Sequence, residues 1–287
     1  MYGGVAGEER RLSPLCRLFY NVGAKTMATK SRRKTKVSSR RKAKAPKPTE
    51  GALSGKIALV TGGGRGLGRA IAEELARDGA TVIITGRDEE SLALSAVSIG
   101  AGGGDVLSKH CELRKPESVA ALFAAIRQQF GRLDILINNA GVAGPMANVD
   151  QLSLEAWNEV IDINLTGLFL ITHAALPLMH PGATIVNNLS ISAKAAFPGM
   201  AAYNASKMGA QGFTETLRKE VRPRGIRVIA LVPGATNTDI WEQFWPEAPR
   251  ERMLAPQSVA KMVAAALKLP DESTVSELEI TPTAGEL

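Results

Sequence analysis

The sequence predicts a single α/β domain built on a doubly wound parallel sheet of about seven strands, with helices covering both faces. Three observations lead to this fold class. Short runs of apolar and β-branched residues alternate along the chain with stretches of helical periodicity. These runs are apolar at consecutive positions, as in strands that are buried on both faces. At 287 residues and 45% hydrophobic, the chain has enough apolar material for one sizeable core.

The first half of the folded part contains three strands, each followed by a helix. In chain order they are strand 57–60, helix 66–78, strand 81–85, helix 89–98, strand 106–113 and helix 116–130. Pro116 suits the first turn of the third helix, and Gly79 and Gly131 follow the ends of the first and third helices. This alternation predicts parallel strands joined by helical crossovers.

The second half continues the alternation without any internal repeat. In chain order it contains strand 134–137, a long helix 154–179, strand 183–187, helix 201–221, strand 227–232, helix 256–269 and strand 277–281. A connecting segment with two tryptophans separates the sixth strand from the last helix. The seven strands complete the predicted sheet.

Composition excludes several classes of protein. No apolar run approaches the length of about 18 residues that a membrane helix needs, because polar residues interrupt the longest candidate, 161–178. We therefore expect a soluble protein. The two cysteines, Cys16 and Cys111, have no pairing or metal-binding spacing, which indicates a reducing compartment and predicts that Cys111 is a small buried residue. No cluster of His, Cys and carboxylates predicts a metal site.

The positive charge is concentrated at the N-terminus. Residues 1–50 hold 14 Lys and Arg against 3 Asp and Glu, a net charge of +11, whereas the remaining 21 basic and 25 acidic residues give −4. Residues 25–50 have almost no large apolar side chains, so we predict a disordered basic tail at 1–50 and a folded, mildly acidic domain at 51–287. The high isoelectric point therefore describes the tail and does not make the whole protein a nucleic-acid binder.

Four interpretations of this tail stay open. It is a solvated basic segment, a tether to nucleic acid or another anionic surface, or an organelle transit peptide. In the fourth interpretation Met27 is the true start of the protein, and residues 1–26 do not belong to it. Glu8 and Glu9 fit a transit peptide poorly. We expect a cytoplasmic protein, with organelle targeting by the tail as the alternative.

A glycine-rich turn joins the first strand to the first helix. Glycines let the backbone approach a pyrophosphate, whose charge the free N–H groups of the helix start can bind. A second strand begins about 20 residues later, as in dinucleotide-binding folds. The sequence thus predicts a dinucleotide site on the turn residues Thr61, Gly62, Gly64, Arg65, Gly66, Leu67 and Gly68.

Further motifs follow in a fixed order, and together with the turn they resemble the short-chain dehydrogenase/reductase family over about residues 53–284. They are Asn138-Asn139-Ala140-Gly141, Asn164, Ser190, Tyr203-x-x-x-Lys207 and Pro233-Gly234. The resemblance implies a Rossmann-type fold, a nicotinamide cofactor and a homodimer or homotetramer. By this resemblance, Glu112 and Leu113 would contact the adenine of the cofactor, although the family more often has Asp at the Glu112 position. Asn139, Ala140 and Gly141 would line the middle of the cofactor, and either Thr236 or Thr238, after Pro233 and Gly234, would hold the carboxamide.

The end of the second strand favours NADP(H) over NAD(H). Enzymes that use NAD place an acidic residue there for the ribose hydroxyls, whereas a 2′-phosphate needs a cation. By the family pattern Gly86 stands at the acidic position, and Arg87 follows it. Arg65 in the turn supplies a second cation. NAD(H) is the alternative cofactor.

Tyr203 and Lys207 lie four residues apart and therefore share one face of a helix. Ser190, at the end of the fifth strand, can meet the tyrosine at the carboxyl edge of the sheet. We expect Tyr203 to act as the general acid or base of hydride transfer, with its pKa lowered by Lys207 and the oxidised nicotinamide, and Ser190 to bind the same substrate oxygen. Ser192 is the rival serine.

The resemblance adds roles for the residues around this pair. Lys207 would also bind the nicotinamide ribose, and the main chain at Asn164 would hold a water that relays protons from Lys207. On local grounds Asn164 can instead cap or kink its helix through its side chain.

A connecting segment at 235–254 is expected to form a lid over the substrate. Its Trp241, Phe244 and Trp245, with Met146, Phe197 and Met200, predict a partly apolar carbonyl or alcohol substrate. The C-terminal end resembles reductases of 3-oxoacyl or 3-hydroxy compounds, which is an analogy only. The alternative function is a redox-sensing module that binds NADP(H) and tethers an acidic partner through its tail; the intact acid–base set argues against it.

Overall fold

The computed structural model describes residues 51–285, so the predicted basic tail, 1–50, lies outside the described residues. Seven strands alternate with helices along this part of the chain. The strands are β1 (Ile57–Thr61), β2 (Thr81–Gly86), β3 (Asp105–His110), β4 (Ile135–Asn138), β5 (Thr184–Asn188), β6 (Arg227–Pro233) and β7 (Glu277–Ile280). The helices are α1 (Gly66–Arg77), α2 (Glu89–Ala101), α3 (Pro116–Phe130), α4 (Leu154–Ile161), α5 (Gly167–Ala175), α6 (Ala201–Val221) and α7 (Pro256–Leu267).

The strands form one parallel sheet in the order β3-β2-β1-β4-β5-β6-β7. Val60 of β1 pairs with Ile84 of β2 on one side and with Ile137 of β4 on the other. The chain therefore runs outward from β1 in both directions, and a ligand crevice forms where the carboxyl ends of β1 and β4 separate. This confirms the predicted doubly wound parallel sheet of seven strands.

Hydrophobic clusters cover both faces of the sheet. Along β1, Ala58 and Val60 pack with residues of α1, α2 and α7, whereas Ile57 and Leu59 pack with residues of α3, α5 and α6. The alternation follows from the period of two in a strand. Burial on both faces explains why the strand sequences are apolar at consecutive positions.

Two predicted elements differ from the structure. The third strand ends at His110 instead of residue 113, because its neighbour β2 ends at Gly86, after which Asp88 caps α2. The helix predicted at 154–179 is interrupted by a five-residue π-helical segment, Asp162–Thr166, and finishes in a 3-10 turn, Leu176–Leu178. The other predicted boundaries lie within three residues of the observed ones.

The helical stretch Leu154–Leu178 is long and apolar enough to cross a membrane, judged by length and composition alone. Within it, 161–178 is the longest apolar run of the sequence, and the polar residues that interrupt this run predicted that it is no membrane helix. In the structure Ile171 and Ala175 are fully buried in the core beneath the sheet. Of the most apolar window of this stretch, 44% is buried inside the fold.

Candidate active site

Hydrogen bonds fasten the glycine-rich turn to the end of β4. The Thr61 hydroxyl accepts from the backbone N–H groups of Asn139 at 3.0 Å and Ala140 at 3.1 Å, and donates to the Ile137 carbonyl. The Asn139 amide donates in return to the carbonyls of Thr61 and Gly62, at 3.0 and 3.2 Å. The side chains of Thr61 and Asn139 thus set the shape of the turn, in addition to any contact with a ligand.

The glycines of the turn allow an approach that no side chain would permit. A Cβ on Gly68 would lie 2.2 Å from the Gly62 carbonyl oxygen and 2.3 Å from the Asn139 side-chain nitrogen, and Gly62 and Gly66 have φ values of +64° and +54°. The N-cap residue of α1, Arg65, makes no side-chain capping bond. The helix start therefore presents uncapped N–H groups beside a bare backbone, which fits the pyrophosphate of a dinucleotide.

At the end of β2, the carboxylate that follows Arg87 in the sequence is already engaged. Asp88 caps α2: it accepts from the backbone N–H of Glu90 at 3.1 Å and from the Ser91 hydroxyl. The Ser91 hydrogen bond, with a smaller contribution from Arg65, holds the pKa of Asp88 below its usual value. Arg87 itself is exposed on the crevice wall, as expected for a cation that binds a ribose phosphate.

Glu112, the residue expected at the adenine, forms an ion pair with Arg114 at 3.2 Å. Its pKa is lowered chiefly by that hydrogen bond and to a smaller extent by the Arg87 charge. Arg87 and Glu112 therefore lie close enough to sense each other on the same wall. The adjacent Cys111 is buried, as predicted, and burial raises the pKa of its thiol.

Ser190 and Tyr203 meet at the carboxyl edge of the sheet. Ser190 follows β5, and its hydroxyl accepts from the Ser192 backbone N–H at 3.1 Å, which orients it. It also interacts with the Tyr203 phenol on α6, whose pKa it lowers. Ser192 contributes its backbone to this arrangement, so the geometry favours Ser190 over the rival serine.

Burial dominates the pKa of Tyr203 in the chain itself. Burial raises the pKa of the phenol, and the hydrogen bond from Ser190 lowers it only in part. Lys207 lies with its Nζ 5.5 Å from the centre of the Tyr203 ring, and burial lowers the pKa of that ammonium to about 8. The lowering of the Tyr203 pKa by Lys207 together with the oxidised nicotinamide stays a prediction, because burial and Ser190 are the influences on this phenol that come from the chain itself.

Asn164 sits in the π-helical segment and connects three elements. Its side chain accepts from the Val142 N–H at 2.9 Å and donates to the Val142 carbonyl at 2.8 Å and the Ser206 hydroxyl at 3.0 Å. These bonds leave its own helix, so it is no helix cap. Asn164 does not line the main crevice; with Lys207 it lines a separate cavity of about 10 Å³, roughly the space of one water.

Asn188 is a site residue that the sequence analysis missed. Its backbone carbonyl accepts from the Lys207 Nζ at 2.9 Å, and its side chain donates to the Asn139 Oδ1 at 2.9 Å. Asn188 thereby connects the lysine with the residue that holds the glycine-rich turn. No motif marks this position; the signal was a polar residue at the end of an apolar strand.

A single crevice of about 570 Å³ brings the predicted site together. Its lining includes all the predicted cofactor residues and both hydroxyls: Thr61, Gly62, Gly64, Arg65, Gly66, Leu67, Gly68, Arg87, Glu112, Leu113, Asn139, Ala140, Gly141, Ser190, Tyr203, Lys207, Pro233, Gly234, Thr236 and Thr238. Thr238 is the threonine against the turn, since a Cβ on Gly66 would lie 3.3 Å from its side chain. Within residues 51–285, no group of three potential ligands could hold a metal ion.

The lid segment brings its aromatic residues to the mouth of the crevice. The ring centres of Trp241 and Phe244 lie 5.0 Å apart, and those of Trp241 and Trp245 lie 6.1 Å apart. The other predicted apolar residues, Met146, Phe197 and Met200, line the same crevice. A 3.3 Å hydrogen bond from the Ala143 N–H to the Gln243 side chain connects the lid with the opposite loop.

Comparisons with known proteins agree with this geometry. The family model described as short chain dehydrogenase matches residues 56–249. The chain is 38% identical over 194 residues to a 3beta-hydroxysteroid dehydrogenase of Mediterraneibacter gnavus, covering 67% of this chain and 70% of the relative. It is 36% identical over 217 residues to a 3-oxoacyl-[acyl-carrier-protein] reductase of Synechocystis, covering 73% and 87%.

Solved structures give the same result. A metagenomic short-chain oxidoreductase in complex with NADP is 32% identical, with a TM-score of 0.71 over 81% of this chain and 99% of that chain. A short-chain dehydrogenase from Burkholderia cenocepacia, also in complex with NADP, is 31% identical, with a TM-score of 0.74 over 82% and 98%.

Proposed function

The chain belongs to the short-chain dehydrogenase family, and from that premise we propose that it is an NADP(H)-dependent oxidoreductase that interconverts a carbonyl and a secondary alcohol. One observation carries the proposal. The Ser190 and Tyr203 side chains line the crevice that begins at the glycine-rich turn, Ser190 lowers the pKa of the Tyr203 phenol, and the Nζ of buried Lys207 lies 5.5 Å from the centre of the Tyr203 ring. This is an acid–base pair next to a dinucleotide site.

The residues of the crevice support NADP(H) as the cofactor. Gly86 leaves the end of β2 without a carboxylate, Arg87 is exposed beside it, and Asp88 is occupied in capping α2. Two structural relatives are complexes with NADP. NAD(H) stays the alternative, and a comparison of NADPH with NADH as hydride donor decides between them.

In the proposed mechanism the chain positions the substrate oxygen and handles the proton. The cofactor, when bound, supplies or accepts the hydride. Because burial raises its pKa, Tyr203 keeps its proton at neutral pH and can donate it to a carbonyl oxygen during reduction. Ser190 donates a hydrogen bond to the same oxygen and stabilises the charge that develops there.

Lys207 and Asn164 complete the proton path in this proposal. The Lys207 ammonium, with its pKa lowered to about 8, can lose or regain a proton near neutral pH. It shares the small cavity with Asn164, and a water held there would return protons from solvent toward Tyr203. The substrate in the proposal is a 3-oxoacyl or 3-hydroxy compound, which the names of the curated relatives support.

Three variants test the catalytic proposal. Tyr203→Phe should reduce kcat with NADPH and a ketone by at least a hundredfold, since general acid catalysis contributes about 10²–10⁴-fold. Ser190→Ala should lose a similar factor, whereas Ser192→Ala should keep most of the rate because its contact is made by the backbone. NADPH titration of Tyr203→Phe should still give binding. Full turnover by Tyr203→Phe would refute the assignment.

We also propose a cytoplasmic homodimer or homotetramer. Exposed apolar side chains on α5 and α6 support association: Phe169 is 48% exposed and Met208 is 41% exposed. The alternative, a redox-sensing module, needs no acid–base pair, and the Ser190–Tyr203 contact therefore weighs against it. Binding of NADPH without turnover of any carbonyl would support that alternative.

A further inference from the structure

Three loops form the rim of the crevice on the side of Ser190 and Tyr203. They are residues 142–147, 191–200 and 236–245, called here the substrate rim. The first contacts the second through the Ala147 N–H, which donates to the Gly199 carbonyl at 2.9 Å, and the third through Gln243. The rim therefore surrounds the reacting hydroxyls, while the glycine-rich turn and Arg87 lie on the cofactor side.

The substrate rim offers apolar surface. Met146 is 54% exposed and Trp245 is 37% exposed, so neither is packed away in the core. The Trp241 indole N–H donates to the Thr236 carbonyl at 2.8 Å, so its one polar group is already used. With Phe244 tilted against Trp241, the rim presents flat aromatic faces and flexible methionines, which suit an apolar ring.

The charges around the crevice divide in the same way. Within residues 51–285, four of the six charged residues that line it stand after β1, β2 and β3 on the cofactor side: Arg65, Arg87, Asp88 and Glu112. Lys207 lies behind Tyr203, which leaves Asp239 as the charged lining residue of the rim. Arg250 of the lid donates to the Thr238 carbonyl at 2.7 Å and to Asn237 at 3.3 Å, so it holds the lid backbone.

Of the two substrate types in the proposed function, we infer that the substrate is the 3-hydroxy compound: an uncharged secondary alcohol, or the matching ketone, that carries an apolar ring system, and not a 3-oxoacyl group on a phosphate- or carboxylate-bearing carrier. An anionic carrier needs available cations at the rim, whereas Lys194, in the second loop, is ion-paired with Glu277 and Glu279, and Asp239 would repel the carrier. The inference rests on the proposed function. In reduction the carbonyl carbon receives hydride from NADPH and its oxygen receives the Tyr203 proton, which yields the alcohol and NADP⁺.

Matched ketone pairs test the inference through NADPH oxidation. Methyl 4-acetylbenzoate and 4-acetylbenzoate differ in charge, and 1-decalone and 2-decanone, both with ten carbons, differ in the ring. We expect kcat/KM at least tenfold higher for the ester than for the acid, and at least fivefold higher for decalone than for decanone. Acetoacetyl-coenzyme A is assayed beside the two pairs. Equal kcat/KM values within both pairs, or the highest kcat/KM for acetoacetyl-coenzyme A, would overturn the inference.

A binding measurement separates this inference from the proposed function. Isothermal titration calorimetry of the full chain with NADP⁺ should show the same preference for the ester and for decalone. If no ketone is reduced, the proposed function fails, and calorimetry still decides the substrate class. Equal affinities within both pairs would overturn the inference even when turnover is observed.

Rim variants localise the effect. Asp239→Asn should narrow the ratio between ester and acid at least threefold, and Trp241→Ala should raise the KM for decalone at least fivefold. Met146→Ala, on the opposite loop, should also raise the KM for decalone. It tests the rim independently if Trp241→Ala disorders the lid. Leu94→Ala, on the exposed side of α2, is the matched control. Wild-type selectivity in all three rim variants would contradict the proposed rim.

Discussion

At the residue scale, Asn188 links Lys207 with the glycine-rich turn. Lys207 donates to its carbonyl, its amide donates to Asn139, and Asn139 in turn holds the carbonyls of Thr61 and Gly62. A change at Asn188 would therefore reach the glycine-rich turn through Asn139. It is a positioning residue in this arrangement, because its side chain acts through another.

Asn188→Ala should raise the KM for NADPH about fivefold and change kcat less than twofold. The factor corresponds to the loss of one side-chain hydrogen bond, about 1 kcal/mol. Steady-state kinetics at varied NADPH measure it, with Asn148→Ala in an exposed loop as the control. A large loss of kcat with an unchanged KM would instead make Asn188 part of the proton path.

Lys207 predicts a stability that depends on pH. Burial lowers its pKa to about 8 from its ordinary value of 10.5, so between these pH values the unfolded chain binds more protons and stability rises with pH. The penalty on the charged form is fully present below pH 8. From pH 7 to 9.5, the free energy of unfolding should rise by about 2 kcal/mol relative to Lys207→Met.

Urea unfolding of the chain without added cofactor, at both pH values, measures this difference. The pH range stops at 9.5 because the raised pKa of Tyr203 acts in the opposite direction above about 10. Parallel pH dependence of the wild type and Lys207→Met would contradict the burial of a titrating ammonium.

The residues differ in how far the sequence could predict them. The four-residue spacing of Tyr203 and Lys207 placed both on one helix face, and the position of Ser190 after a strand placed it at the same edge. The direction of the Tyr203 pKa could not be predicted, because it depends on a desolvation that spacing does not give. Asn188 acts through its main chain and a long-range amide contact, and neither leaves a motif.

At the scale of elements, the first turn of α1 packs directly against the glycine-rich turn. Gly68 lies in the first turn of α1 directly over the Gly62 carbonyl, whereas Gly100, near the end of α2, has open space around the position of a Cβ. The two glycines are both helical and differ in their surroundings. They form a matched pair for substitution.

Gly68→Ala should destabilise the chain by roughly 2–4 kcal/mol and abolish NADPH binding, because the methyl group forces the turn away from Asn139. Gly100→Ala should leave binding unchanged and stabilise by up to about 1 kcal/mol, as alanine is the better helix former. Thermal unfolding and NADPH titration measure both. Equal effects of the two substitutions would contradict the close packing of α1 on the turn.

The interrupted helix 154–178 shows what local pattern cannot give. Its apolar periodicity predicted one continuous helix, and its outer boundaries were nearly right. The π-helical segment Asp162–Thr166 instead accompanies the contacts of Asn164 with Val142 and Ser206, which are 22 and 42 residues away. A local sequence pattern carries no information about such contacts.

At the scale of the whole molecule, the apolar runs were enough to predict the sheet, whereas the residue at which a strand ends depends on its pairing with a neighbouring strand. Apolar runs at consecutive positions predicted seven strands buried between helices, and the structure confirms them. The end of β3 at His110 was not predicted, because a strand continues only where its neighbour does, and β2 turns away at Gly86. The carboxyl edge of the completed sheet gathers residues from nearly the whole domain into one crevice.

The distribution of charge separates the domain from the tail. Residues 1–50 have a net charge of +11, and the remainder of the chain has −4, so a chain that starts at residue 51 should keep turnover within twofold and lose binding to heparin. The full chain should bind heparin, and the logarithm of its binding constant should fall linearly with the logarithm of the salt concentration. The control keeps the full length and changes four arginines to Gln: Arg32, Arg33, Arg40 and Arg41. Its binding constant for heparin should depend less steeply on salt concentration than that of the unchanged chain. If the shortened chain unfolded or lost turnover, the tail would be part of the catalytic domain; if it still bound heparin, the basic surface would belong to the domain.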